Sequence, residues 1–278
     1  MIKIGMIGSD NSHALAFSKL ANVDRVLGDR AQVVGIWGAE AERTAEVARE
    51  AAIPTIVAQP ADLLGEVDLA IVVDRHGGLH AEHALPFIER GLPTFIDKPF
   101  AISLDDCRRM LDAAERSGAP VSSFSALRYA PADELASKAA GIGTVASGLF
   151  AGPCDPDSQY GGLFFYATHP IEIALRLLGD DARVVSAHRS GGTVNALLEW
   201  GSGATIAFAF MRDAEYHFHA TLFGTSGFVA QEITGGDAAY TDSLTRIVTM
   251  AETRESPLTP AELLRPIELV QGIVELLG

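Results

Sequence analysis

The chain has 278 residues, enough for one large domain or two of ordinary size, and 48% of them are hydrophobic, so sizeable cores are available. Its 36 acids outnumber 21 bases for a net charge of −15, which argues against a nucleic-acid or anionic-membrane partner, since both need basic patches. No apolar run approaches membrane-spanning length, the first eight residues read as a strand rather than a signal peptide, and Cys107 and Cys154 show no pairing or metal spacing; the expectation is a reduced, cytoplasmic protein.

Ile2 to Ile7 reads as a buried strand, Gly8-Ser9-Asp10-Asn11-Ser12-His13 as a turn, and Ala14 to Leu20 as the beginning of a helix. Strand, turn and helix in that order are the setting of a dinucleotide phosphate loop, whose helix N-terminus can hold a pyrophosphate even in an acidic chain. The usual G-x-G-x-x-G spacing begun at Gly8 wants glycine at 10 and 13, where Asp10 and His13 stand. Asp10 repels a pyrophosphate unless it points away or is paired, and Asn11 or Ser12 suits the helix cap. Gln32 to Trp37 is the second strand and Ala39 to Ala51 an amphipathic helix. Gly38 occupies the place of the acid that normally grips the adenosine ribose, with Glu40, Glu42 or Arg43 just beyond as substitutes, so NAD and NADP are not distinguished.

Pro54 to Val57 reads as a third strand and Pro60 to Leu64 as a short helix. Val67 to Val73 is apolar throughout, hence a central parallel strand, and it ends in Asp74-Arg75-His76, with Arg75 suited to a phosphate or ribose. Leu79 to Glu89 is a helix closed by Gly91. His76, His80 and His83 lack the cysteine or matched acid that zinc sites add; they read as capping or packed histidines, and no metal is expected. Thr94 to Ile96 is a short strand that runs into Asp97-Lys98-Pro99, and Ser103-Leu-Asp-Asp106 opens the next helix, Asp105 to Ser117, with a capping-box pattern. Open α/β sheets bind ligands outside the carboxyl ends of their strands. Pro99 biases the preceding pair toward an extended shape, so Lys98 projects from a fixed turn, where it can orient a hydroxyl or move its proton. The alternative is a surface lysine after an edge strand. With Val121 to Ala126 as a further strand, the alternation gives an α/β, doubly wound parallel sheet.

From Arg128-Tyr129-Ala-Pro131 the pattern changes. Gly143 to Phe150 starts a second sheet, continued by Val184 to His188, Thr193 to Trp200, Ala204 to Phe210, Tyr216 to Phe223 and Phe228 to Ile233, with Gly201-Ser-Gly203 as a hairpin turn. Between them Pro170 suits the first position of a helix running to Leu178, which puts His169 at the cap, Tyr166 just before it and Glu172 in the first turn. His217 and His219 share a strand face, which could line the substrate cleft or, as the plainer reading has it, be solvated or covered by a subunit. The large apolar sheet needs cover, and a second copy of the chain is a natural one.

Three segments together resemble the glucose–fructose oxidoreductase / inositol dehydrogenase (Gfo/Idh/MocA) family: Leu79-His80-Ala-Glu-His83-Ala, Gly91 through Asp97-Lys98-Pro99-Phe100-Ala, and Phe124-Ser-Ala-Leu-Arg128-Tyr129-Ala-Pro131. Gly161-Gly162-Leu-Phe-Phe-Tyr166-Ala-Thr-His169-Pro-Ile-Glu172 and the tail Leu264 to Val274 extend the match over nearly the whole chain. The resemblance implies a Rossmann domain (1–123) binding NAD or NADP, and an α/β domain (124–278) with an open, mostly antiparallel sheet that binds substrate and makes a homo-oligomer, dimer or tetramer; the last helix may return to the first domain. It implies hydride transfer between nicotinamide and a hydroxyl-bearing carbon of a sugar, cyclitol or related polyol, with Lys98 and His169 at the active-site lysine and histidine. The family usually has aspartate where Tyr166 stands, three residues before the histidine, and glutamate where Asp97 stands. Lys98, His169 and Tyr166 are the catalytic candidates, joined by Arg128 for substrate. For the cofactor they are Gly8, Ser9, Asp10, Asn11, Ser12, His13, Trp37, Gly38, Asp74, Arg75, His76, His80, Asp97 and Lys98. Two alternatives stay open: transient-redox lyase or hydrolase chemistry, and a ligand-binding homologue without turnover.

Overall fold

The computed structural model describes residues 1–278, which form two compact units: Met1–Phe124 with Tyr240–Leu263, and Ser125–Ala239 with Leu264–Gly278. The first is built on six parallel strands, β1 (Ile2–Ile7), β2 (Ala31–Trp37), β3 (Thr55–Ile56), β4 (Leu69–Val72), β5 (Thr94–Ile96) and β6 (Val121–Ser122), in the order β3-β2-β1-β4-β5-β6. The order reverses between β1 and β4, so right-handed crossovers put α1 (Ser12–Asn22) and α2 (Ala41–Glu50) on one face, and α3 (His80–Ile88) and α4 (Leu104–Ser117) on the other. β4 is buried along its whole length, as a strand covered on both faces must be. Ser103 caps α4 by accepting from the Asp106 N–H at 3.1 Å, and Gly118, at φ +70°, ends it. Three predicted strands of this sheet shrink: β3 is two exposed residues, β4 keeps only Leu69–Val72 of Val67 to Val73, and β6 stops at Ser122 instead of reaching Ala126. The Ser125 N–H goes to the Glu172 carboxylate rather than to a ladder partner, so the chain has already left the sheet there.

α7 (Gly236–Thr253) is not anticipated by the sequence reading. Threonines recur along it, and Thr245 and Thr253 bond back to the carbonyls of Thr241 and Thr249, which weakens the local helix signal. Its formation rests on burying Leu244, Ile247, Val248 and Met250, spaced for one helical face. The segment is tied to the first unit by Arg30–Glu252 at 2.7 Å, by Arg254 donating to the carbonyls of Gly91 and Gly118, and by Ser256 donating to that of Val121.

The second unit carries β7 (Val145–Pro153), β8 (Arg183–Ser190), β9 (Thr193–Glu199), β10 (Thr205–Met211), β11 (Phe218–Gly224) and β12 (Gly227–Ile233), in the order β12-β11-β7-β10-β9-β8. Only the β7–β10 pair is parallel, so the sheet is open and mostly antiparallel. One face buries Phe150, Phe208 and Phe210 in a stack and, with α5 (Ala130–Ala139), α6 (Phe164–Leu178) and α8 (Pro260–Leu277), forms the core. α5 also goes unpredicted, although Pro131 sits in its first turn. α6 starts six residues before Pro170: Gly161 at φ +110° and Gly162 at φ +59° make the tight turn that lets it begin early. His169 and Tyr166 therefore lie within the helix and Glu172 well past its first turn, not at a cap. The strand β11 begins at Phe218, so His217 precedes it and pairs with Glu232 at 2.5 Å, while His219 alone lies on the strand's open face. No helix is long and apolar enough to cross a membrane.

Candidate active site

In the first unit the predicted residues gather at the carboxyl ends of β1, β4 and β5. Gly8 turns the chain with φ +99°, and a Cβ there would lie 2.7 Å from the Asp74 backbone nitrogen, so only glycine lets the first turn approach β4 this closely. Asn11 caps α1, accepting from the His13 N–H at 3.1 Å, and the first turn of α1 carries no acid. The positive end of a helix at this turn suits a pyrophosphate. Asp10 is exposed and its carboxylate receives the Arg75 N–H at 3.4 Å, a long contact toward β4. Ser12 is exposed as well.

His13, in place of the third glycine, points inward. Its Nδ1 lies 2.7 Å from Asp97 Oδ2, which also accepts from Asn11 Nδ2 at 3.1 Å, and its Nε2 meets the Tyr240 hydroxyl at 3.0 Å. Burial by itself pushes the Asp97 carboxyl up; the charge and hydrogen bond of His13, with the charges of Lys98 and His80, outweigh it and hold the group at about 2. Lys98, 4% exposed, follows directly, joined to Pro99 by a cis peptide bond. His80 lies wholly buried between two backbone carbonyls, Nδ1 at 2.8 Å from Pro99 and Nε2 at 2.9 Å from Asp74, so it pins the Lys98 turn to the end of β4.

The other residues named from the sequence turn to neighbouring groups. Asp74 receives His83 Nδ1 at 2.8 Å, and His83 stands edge-on to Trp37 with ring centres 4.8 Å apart. His76 Nδ1 accepts from the Gly78 N–H at 3.0 Å and caps the 3-10 turn Gly77–Leu79. At position 38 a Cβ would lie 2.0 Å from Ser9 Oγ and 2.5 Å from Thr44 Oγ1. The buried Ser9–Thr44 hydrogen bond (2.9 Å) thus crosses the space an acid would use, and the loss of the ribose acid and the serine at position 9 are one packing solution. Arg43 donates to the Ser9 carbonyl at 3.3 Å and pairs with Glu46.

In the second unit α6 presents Tyr166 and His169 one turn apart. His169 is buried against the rings of Phe218 and Tyr166, with centres 5.3 and 5.4 Å away. Its Nδ1 lies 2.6 Å from Ser125 Oγ, and the Ser125 N–H donates to Glu172 at 2.9 Å. Arg128, 3% exposed, belongs to the same turn, its N–H donating to the Ser125 carbonyl. Ser125, Thr44 and Tyr240 are the polar partners that reading from sequence missed. Ser125 lies inside a segment quoted for its resemblance, but nothing local marks its hydroxyl; Tyr240 is 227 residues from its histidine.

Residues 2–125 match the family model described as an oxidoreductase family with an NAD-binding Rossmann fold. Inositol 2-dehydrogenase 3 of Saccharopolyspora erythraea is 29% identical over 251 residues, 82% of this chain and 71% of that one. The 1,5-anhydro-D-fructose reductase of Ensifer adhaerens is 26% identical over 84% of this chain and 77% of its own. In fold, the crystal structure of myo-inositol 2-dehydrogenase from Lactobacillus plantarum superposes with a TM-score of 0.83 at 14% identity, covering 99% of this chain and 96% of that one.

Proposed function

We propose that the chain is a member of the Gfo/Idh/MocA family of NAD-binding oxidoreductases, and an NAD(P)-dependent enzyme that oxidises or reduces a hydroxyl-bearing carbon of a sugar, cyclitol or related polyol. The observation that carries this reading is Lys98: a lysine held almost fully out of water at the carboxyl end of β5, next to the point where the strand order reverses. The glycine turn at Gly8 and the acid-free start of α1 fit a dinucleotide pyrophosphate, with Ser9 and Asn11 shaping the turn, and Trp37, Gly38, Asp74, Arg75 and His76 at the neighbouring strand ends. When bound, the cofactor supplies the hydride acceptor or donor.

The chain's own residues handle position and the proton. His169 takes the substrate hydroxyl proton, an imidazole being nearly matched to neutral pH. Lys98, at the end of β5, serves as the hydrogen-bond donor that stabilises negative charge as it develops. Tyr166, packed on His169, and Arg128 bind substrate. Asp97 and His80 fix the turn that presents Lys98. Calorimetry with NAD and with NADP tests the cofactor, and a polyol panel followed by nicotinamide absorbance tests the reaction. Binding without net reduction on any polyol would favour transient-redox chemistry; binding of neither dinucleotide would leave a ligand-binding homologue.

Assembly is part of the proposal. On the open face of the second sheet the register lines up Ala230, Thr221, Leu149, Ala207 and Leu197 across five strands, with Phe223 and Phe228 exposed beside them. We read this row as a homo-oligomer contact between copies of the chain, which Leu149→Arg should break in a light-scattering mass measurement. Both cysteines are buried, and we infer a reducing, cytoplasmic setting.

A further inference from the structure

We propose that Ser125 is a positioning residue that holds the His169 ring in one orientation through each of its protonation states and, being uncharged, leaves its basicity low, a role that rests on His169 being the base. Ser125 is fully buried and fixed at three points: its N–H donates to Glu172 at 2.9 Å, its carbonyl accepts from Arg128 N–H at 2.9 Å, and its Oγ accepts from Leu127 N–H at 3.0 Å. That Oγ lies 2.6 Å from His169 Nδ1. A hydroxyl has one proton to donate and two lone pairs. With one lone pair given to Leu127, one donor and one acceptor site remain toward the ring.

Those two sites serve both states of the imidazole. When the substrate O–H bond breaks and an Nε2–H bond forms, the ring's other proton stays on Nδ1 and is donated to Ser125 Oγ. Once Nε2 has returned its proton, the neutral ring carries one proton: on Nδ1 it is donated to Oγ, and in the other tautomer it lies on Nε2 while Nδ1 accepts a hydrogen bond from the Ser125 O–H. Ser125 thus holds the ring plane in every protonation state without adding charge. A carboxylate at that distance would stabilise the imidazolium and make Nε2 a stronger, more often occupied base. A hydroxyl leaves the ring unprotonated to lower pH.

The test is imidazole nitrogen NMR with pH, the His169 signals being identified among the eight histidines by their absence in His169→Gln. Relative to the unaltered chain, Ser125→Ala should change the His169 ring nitrogen shifts and Ser125→Thr restore them. Ser125→Asp should raise the His169 titration midpoint by about one unit or more, and the acid limb of kcat/KM should move with it. Ring shifts and midpoint that are the same in Ser125→Ala as in the unaltered chain overturn the proposal. Should Ser125→Asp fail to fold, the alanine and threonine pair decides. If the NMR midpoint moves and the acid limb does not, Ser125 holds and tunes the ring as proposed, and it is His169 as the catalytic base that is wrong.

Discussion

Asp97, just after β5, and His169, within α6, are both buried polar groups, and they are held by different means. Asp97 sits among cations and donors from three elements: His13 and Asn11 around the first turn, Lys98 beside it, His80 beneath. His169 is flanked by aromatic rings and meets a neutral hydroxyl. Charge compensation fixes the lysine turn; hydrogen-bond direction and packing fix the histidine. A carboxylate in a cationic nest resists protonation, whereas a ring against a hydroxyl can change its charge without disturbing its surroundings. That suits a turn that holds its lysine in place and a histidine proposed to exchange a proton with substrate.

The largest effects should come from removing either reacting group. Lys98→Met and His169→Gln should each lower turnover by ~10²–10⁴-fold in steady-state assays, with the fold kept by circular dichroism. The comparison is sharpened by the pH profile: His169→Gln should abolish the acid limb of kcat/KM, and Lys98→Met should keep it. Full activity in either variant would break the role given to that residue.

Next comes the nest itself. Asp97→Ala strips a buried, doubly bonded carboxylate from its cations and should cost about 3–5 kcal/mol in urea unfolding. The unaltered group also makes a pH signature. Its carboxyl lies at about 2 in the folded chain against an ordinary 3.8, so the unfolded chain binds more protons across that window. The stability it contributes, on the order of 2 kcal/mol, is complete above about pH 4 and lost as pH falls through 2. Asp97→Asn should flatten this acid limb of the stability curve; an unchanged slope would mean that the cations around Asp97 do not control it.

A smaller effect separates packing from charge at the cofactor end. Gly38→Ala drives a methyl into Ser9 Oγ and Thr44 Oγ1 and should cost about 1–3 kcal/mol of stability. Ser9→Gly in the same chain should recover most of it. Failure of that rescue would mean that glycine at 38 answers to something other than Ser9.

The first unit was far more legible in sequence than the second. Strands of the parallel sheet are continuous apolar runs between capped helices, and Asp97-Lys98-Pro99 stands out at a strand end, though by itself it also reads as a surface lysine and only the resemblance of its flanks gives it an active-site role. His13 and Gly38 read as damage to a glycine motif because their compensations, Asp97 with Tyr240 and Ser9 with Thr44, lie on other elements and leave no local mark. In the second unit Pro170 misplaced the start of α6, since a proline scores as a helix beginning while the glycine pair at 161 and 162 set the true one. Threonines masked α7, and β6 ended early because a carboxylate from α6 claimed the Ser125 N–H.

The smallest predicted effect runs opposite in pH to that of Asp97. Burial lowers the His83 pKa, but the hydrogen bond and charge of Asp74, with the charge of Glu82, leave it above its ordinary 6.5. The folded chain therefore holds this proton more tightly than the unfolded one. The stability from the His83–Asp74 pair is full below about pH 6.5 and fades as pH rises through the folded value. Comparing His83→Gln with the unaltered chain, the difference in urea stability should be under about 1 kcal/mol and larger at about pH 6 than at about pH 8. A difference that grew with pH instead would show that His83 is held neutral, donating one N–H to Asp74 while packing on Trp37. The end of β4 would then be built like the histidine of α6, held by hydrogen bonding and packing, and unlike its own neighbour, the charged turn after β5.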